Sequence, residues 1–203
     1  TAIGSRTRES AERMGAEFGI SRCHGSYEAL LADPEVQAVY IATPHPQHAE
    51  WTIRAAEAGK HILCEKPFAL NRAQAMAMLE AAECHGVFLM EAFMYRCHPQ
   101  TAELVRLLRA GVIGRVRQIE ASFGFRAKAD PAGRIFCEAL GGGAILDVGC
   151  YSVSFVRLVA GVAAGKEIDE PAELKAVGTL GETGVDAVTS AVLRFSSGIV
   201  ARV

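Results

Sequence analysis

Hydrophobic and polar positions change rhythm half-way along the 203 residues. In the first half, apolar runs of strand length alternate with helix-like stretches. Thr1–Gly4 reads as the end of a strand, and Thr7 is placed to cap a helix over Arg8–Phe18, with Glu9 where the helix dipole favours an acid. Ser26 can cap a short helix that must stop near Asp33, because Pro34 disfavours helical geometry before it. Val36–Thr43 is an apolar run without alternation, the pattern of a strand buried on both faces. A helix over His48–Ala58 ends at Gly59, followed by strand His61–Glu65, a helix from Asn71 to Cys84, Gly86, and strand Val87–Ala92. Strand and helix repeating at this pitch predict parallel strands joined by crossovers.

The second half reads differently. A helix is expected over Thr101–Arg109, and Arg115–Phe125 alternates like a strand with one wet face. Gly141–Gly143 leads into a helix over Ile145–Val159, and a polar linker, Lys166–Glu170, precedes strands Leu174–Leu180, Val185–Phe195 and Gly198–Val203. The predicted fold class is α/β: a doubly wound, Rossmann-like parallel sheet lacking its first βα unit over residues 1–98. An α+β domain with a mostly antiparallel sheet, for substrate and oligomer contacts, is expected over residues 99–203. A sheet that stops in mid-meander leaves an unpaired edge, so the natural protein is expected to continue.

Composition narrows the function classes. The chain is 50% apolar and 22% charged with a net charge of −2, which gives no general pull toward nucleic acid or an anionic membrane. The longest apolar stretch, Ala144–Gly165, is interrupted by Asp147 and Arg157, against a membrane span. Six cysteines without regular spacing read as scattered thiols of a reducing compartment, and the expected location is the cytoplasm.

Two places carry chemistry. Glu65-Lys66-Pro67 ends a predicted strand, and open parallel sheets receive ligands outside the carboxyl ends of their strands. Thr43-Pro44, followed by His45 and His48, closes the neighbouring strand, and Tyr95-Arg96 lies just past the strand ending at Ala92. The second place is Asp147 and Tyr151, four apart on the glycine-led helix and therefore on one face. Taken singly, each of these residues also fits a structural role. Together they make a working set for alcohol–carbonyl interconversion. A lysine ammonium lowers the pKa of a phenol, ordinarily about 10, so that Tyr151 can exchange a proton with a substrate hydroxyl oriented by Asp147. Ser5-Arg6 at the end of the first strand suits the 2′-phosphate of NADP, where an acid would suit NAD. His45 and His48 are too poorly supported for zinc, because Pro46 breaks their shared helical face and no third ligand is evident.

The stretches GKHILCEKPFALN, MEAFMYRCHP and GGGAILDVGCYSV resemble the Gfo/Idh/MocA oxidoreductase family, in order and nearly along the whole chain. Tyr at 151, where many members carry His, is similar to the branch of glucose-fructose oxidoreductase and dimeric dihydrodiol dehydrogenase. The resemblance implies catalytic roles for Lys66 and Tyr151 and a substrate-orienting role for Asp147. It also implies that Thr43, Pro44 and His48 line the cofactor, with Glu65 and Lys66 beside it and Arg96 near the nicotinamide and substrate. A cis Lys66–Pro67 bond is expected as well. The implied activity is hydride transfer on a sugar, polyol or dihydrodiol with NADP rather than NAD, by a homo-oligomer joined through the C-terminal sheet. Family alternatives are an NAD-dependent glycosidase and a non-catalytic dinucleotide-binding protein. The family's G-x-G-x-x-G phosphate loop has no counterpart in these residues, so truncation at both ends and an inactive fragment are the expectation.

Overall fold

The computed structural model describes residues 1–128 and 130–203. By contact the chain divides into a first unit, Thr1–Thr43 with Gln47–Ala92, and a second, Pro44–Pro46 with Phe93–Val203.

The first unit runs β1 (Ala2–Gly4), α1 (Arg8–Phe18), β2 (Arg22–His24), α2 (Tyr27–Leu31), β3 (Ala38–Ile41), α3 (His48–Glu57), β4 (His61–Cys64), α4 (Arg72–Cys84) and β5 (Leu89–Glu91). Local chemistry sets several boundaries. The Ser10, Ala29 and Gln74 amides donate to the side-chain oxygens of Thr7, Ser26 and Asn71, so all three residues cap their helices. Gly59, at φ 70°, takes the left-handed conformation just beyond α3.

All strands of this unit pair in parallel, but in two ladders, β1–β2 and β3–β4–β5. Val36, Val39, Ile41, Ile62, Cys64 and Met78 form the core, with Ala2 and Leu30 packed against it. The expectation that the Val36–Thr43 run is buried on both faces is wrong. Val39 and Ile41 are buried, whereas Ala38 and Tyr40 on the opposite face are exposed, as are His61 and Leu63 beside them. Strand β2 was not read from sequence; three residues, Arg-Cys-His, carry no apolar run. The Lys66–Pro67 bond is cis.

The second unit contains α5 (Pro99–Arg109), β6 (Gln118–Glu120), a π-helical turn at Ile145–Gly149, α6 (Cys150–Ala163), β7 (Pro171–Leu180), β8 (Asp186–Phe195) and β9 (Val200–Arg202). Its sheet has the order β6-β9-β8-β7. The meander β7–β8–β9 is antiparallel as predicted, while β6 joins β9 in parallel. Only three residues of the alternating stretch Arg115–Phe125 pair, because β9 offers a partner three residues long. Helix α6 covers one face of the sheet, burying Val156, Val159 and Ala160 with Ile119, Leu193, Phe195 and Ala201. On the other face Val188 and Val192 are exposed, together with Val177 of β7.

Glu138–Ala163 is long and apolar enough to cross a membrane by length and composition. It nevertheless carries a buried acid, Asp147, and its α6 part packs as the core helix of this unit. The glycines before it admit other segments of the same chain. A Cβ on Gly142 would meet the Ile135 carbonyl oxygen at 2.6 Å, and one on Gly143, at φ 114°, would meet Asp186 Oδ1 at 2.2 Å. Asp186 uses that room to accept from the Ile145 amide at 2.9 Å, so an acid from β8 caps the helix entrance.

Candidate active site

In the first unit, the carboxyl ends of β3 and β4 lie side by side, since Ile41 pairs with Cys64 and the Glu65 amide donates to the Ile41 carbonyl at 2.9 Å. This register brings Thr43, Glu65 and Lys66 to one end of the ladder. His48, fully buried, faces the Pro67 carbonyl oxygen with Nδ1 at 2.9 Å and the Thr43 carbonyl oxygen with Nε2 at 2.8 Å. The first turn of α3 thus bridges the two strand ends. Glu65 accepts from the Tyr40 hydroxyl through Oε1 and from the Lys66 amide through Oε2 at 3.1 Å. The Phe68 amide donates to Glu91 Oε1 at 2.8 Å, tying the turn after Pro67 to β5. Burial pushes the Cys64 thiol up to about 11, which keeps it protonated and unreactive at neutral pH. Thr43 Oγ1 is buried with no hydrogen-bond partner among the described residues. Ser5 and the exposed Arg6 follow directly on β1.

In the second unit, Asp147 sits in the π-helical turn and Tyr151 in the first turn of α6, so their four-residue spacing still amounts to about one helical turn. Tyr151 is half-buried among aromatic rings: Phe93 at 5.2 Å and 82°, Phe123 at 5.6 Å and 61°, and Tyr95 at 6.1 Å. The Tyr95 ring is fixed by a 2.8 Å bond between its hydroxyl and Ser154, and Arg96 follows it in the turn Met94–Cys97. The Asp147 carboxylate is 5% exposed as a residue and is ion-paired with Arg134, Nη1 to Oδ1 at 2.9 Å. His45 belongs to this unit, whereas His48, three residues on, belongs to the first. Pro44 also sides with the second unit, apart from Thr43. Arg134 is not foreshadowed in the sequence, and His45 is foreshadowed only as a strand-end neighbour and a rejected zinc ligand. No spacing rule connects positions 45, 134 and 147.

Residues 1–93 match the family model described as "Oxidoreductase family, NAD-binding Rossmann fold", and residues 101–203 match the GFO/IDH/MocA C-terminal domain. The chain belongs to the GFO/IDH/MocA oxidoreductase family. It is 42% identical over 204 residues to D-xylose 1-dehydrogenase (NADP(+)) 2 of Haloferax volcanii, covering 100% of this chain and 60% of that protein. It is 38% identical over 198 residues to trans-1,2-dihydrobenzene-1,2-diol dehydrogenase of Mus musculus, covering 98% and 57%. Among solved structures, the 3-ketoreductase KijD10 of Actinomadura kijaniata, in complex with NADP and TDP-benzene, superposes with a TM-score of 0.84 at 35% identity, covering 100% of this chain and 60% of that one. The chain therefore spans about three fifths of the length of these relatives.

At the strand end of this family member, Tyr40 titrates abnormally. Its hydrogen bond to the Glu65 carboxylate, then burial and the charge of Glu65, push the phenol up to about 12. The folded state holds this proton more tightly than the unfolded chain, whose phenol loses it near pH 10, about the ordinary value. The stabilisation is thus fully present below about pH 10 and is lost as pH rises through about 12. Urea midpoints for the wild type and Tyr40→Phe should converge over that window. A difference that stays constant would show that the bond to Glu65 does not favour the protonated phenol.

Proposed function

We propose that the complete protein is an NADP-dependent oxidoreductase that interconverts a hydroxyl and a carbonyl on a sugar, polyol or dihydrodiol, with Lys66 and Tyr151 as its proton-transfer pair. The observation that carries this reading is the phenol of Tyr151, held among aromatic rings one helical turn after a buried carboxylate. The activities printed for the relatives support it: a D-xylose dehydrogenase named for NADP, a dihydrodiol dehydrogenase, and a ketoreductase crystallised with NADP.

The residues of the first unit fit a dinucleotide. Thr43 Oγ1 is a buried polar atom awaiting a partner at the carboxyl end of β3, where parallel sheets receive such ligands. Pro44, His48 and Glu65 would line the same cofactor, and Ser5 with Arg6 would hold the 2′-phosphate through a hydroxyl and a planar guanidinium fork. When bound, the nicotinamide supplies two-electron hydride exchange. In the oxidative direction Asp147 orients the substrate hydroxyl, and Tyr151 takes its proton as the carbonyl forms. In reduction Tyr151 returns that proton to the new alkoxide oxygen. The Lys66 ammonium stabilises the phenolate form, and Arg96 lies near the reacting end of the substrate. A second copy of the complete protein would cover the open face of β7 and β8, whose Val177, Val188 and Val192 are 74%, 63% and 47% exposed.

Three measurements on the complete protein test this reading. Tyr151→Phe should lower kcat about 10²-fold to 10⁴-fold and leave cofactor affinity nearly intact; unchanged turnover removes Tyr151 from the chemistry. Arg6→Ala should weaken NADP binding and spare NAD, which lacks the 2′-phosphate. Equal losses for both would show that Arg6 does not read that group. Val177→Glu should shift the sedimentation coefficient toward that of a monomer, and an unchanged assembly would place the interface elsewhere.

A further inference from the structure

The Asp147 carboxylate does not stand on its own helix alone. Arg134 Nη1 donates to Asp147 Oδ1 at 2.9 Å and lies 3.2 Å from His45 Nε2, while His45 Nδ1 lies 3.0 Å from the Gly141 carbonyl oxygen. One proton arrangement satisfies all three contacts. A guanidinium only donates, so Nε2 must be the accepting nitrogen. The ring proton is then on Nδ1 and is donated to Gly141. His45 is 6% exposed, so this tautomer is enclosed, and Arg134 is pinned between a neutral acceptor and a buried anion.

The backbone around Arg134 is equally constrained. The Gly133 amide donates to the Asp130 carbonyl at 2.9 Å, and the Phe136 and Cys137 amides donate to the Gly133 carbonyl at 3.0 Å each. The Gly142 and Gly143 amides return to the Cys137 and Ile135 carbonyls at 3.0 and 2.9 Å. Charge neutralisation alone needs less than this. The Arg134 side chain is 44% exposed, so neutralising the buried Asp147 carboxylate does not require a fixed guanidinium, and the accessory tautomer-fixing contact to His45 points to a demand on geometry.

We infer that Arg134, aimed by His45, is a positioning residue that sets the rotamer of Asp147 toward the substrate hydroxyl. This rests on the reading that Asp147 orients that hydroxyl. His45 directly follows Pro44, so the arm that aims Asp147 begins one residue beyond the segment proposed to line the cofactor.

The test uses the complete protein with NADP and the best-oxidised member of a panel of aldoses, polyols and trans-dihydrodiols. Arg134→Met should lower kcat roughly 10-fold to 10²-fold, the scale of a reacting group misplaced by about 1 Å, without changing NADP affinity. Arg134→Lys should recover part of the loss. Asp147→Asn should be impaired comparably, and the double variant Arg134→Met/Asp147→Asn should be no worse than Asp147→Asn alone. The double variant also removes the unpaired buried charge that destabilises the single one, so it reports on positioning even if Arg134→Met is unstable. Nitrogen-15 spectra should show His45 protonated on Nδ1, with the Nε2 resonance moving in Arg134→Met. Full turnover by Arg134→Met beside an impaired Asp147→Asn overturns the inference alone, as do additive losses or a ring protonated on Nε2. Full turnover by Asp147→Asn, or none on any substrate, overturns the underlying reading and the inference with it.

Discussion

A carboxylate buried inside a helix must meet a cation or lose its charge, and much of the second unit is arranged around how Asp147 meets one. Arg134 lies thirteen residues earlier, on the far side of a loop. Bringing its guanidinium to Asp147 requires that loop to fold back against the helix entrance. The fold-back places the Ile135 and Cys137 carbonyls where a Cβ at position 142 would intrude, which explains the glycine there. Asp186 then occupies the space over Gly143 and accepts from the Ile145 amide. Gly142 and Gly143 are thus the steric consequence of packing a loop and the Asp186 carboxylate against one helix end.

The first unit meets a related demand at its strand ends. Parallel strands end in carbonyls that the ladder no longer satisfies, and a buried carbonyl without a partner is costly. His48 reaches the carbonyls of Thr43 and Pro67 from one ring, so a single side chain of α3 fixes the spacing of two strand ends. Glu65 adds a second brace by engaging Tyr40 and the Lys66 amide. The lysine's backbone is therefore held from both sides, whatever its ammonium does.

Much of this was legible in the sequence. The caps Thr7 and Ser26 are legible, because a Ser or Thr oxygen bonds an amide three residues on and the evidence is local. The strand-end position of Glu65-Lys66 and the one-turn spacing of Asp147 and Tyr151 were legible for the same reason. The misses are non-local. A three-residue strand such as β2 has no periodicity to detect. The parallel pairing of β6 with β9 joins residues about eighty positions apart. One-sided burial of β3 depends on what covers Ala38 and Tyr40, not on their own apolar character.

The histidine pair shows where such reading fails. His45 and His48 are three apart and look like one motif, but the chain assigns them to different units at Pro46-Gln47. One ring ties strand ends through backbone carbonyls. The other reaches partners 89 and 96 residues away, an arginine and a glycine carbonyl. Their spacing therefore describes a branch point in the chain path and not a shared ligand set. The same branch explains why Arg134 went unseen: the residues it joins are neighbours only after the loop beyond β3 has folded into the second unit.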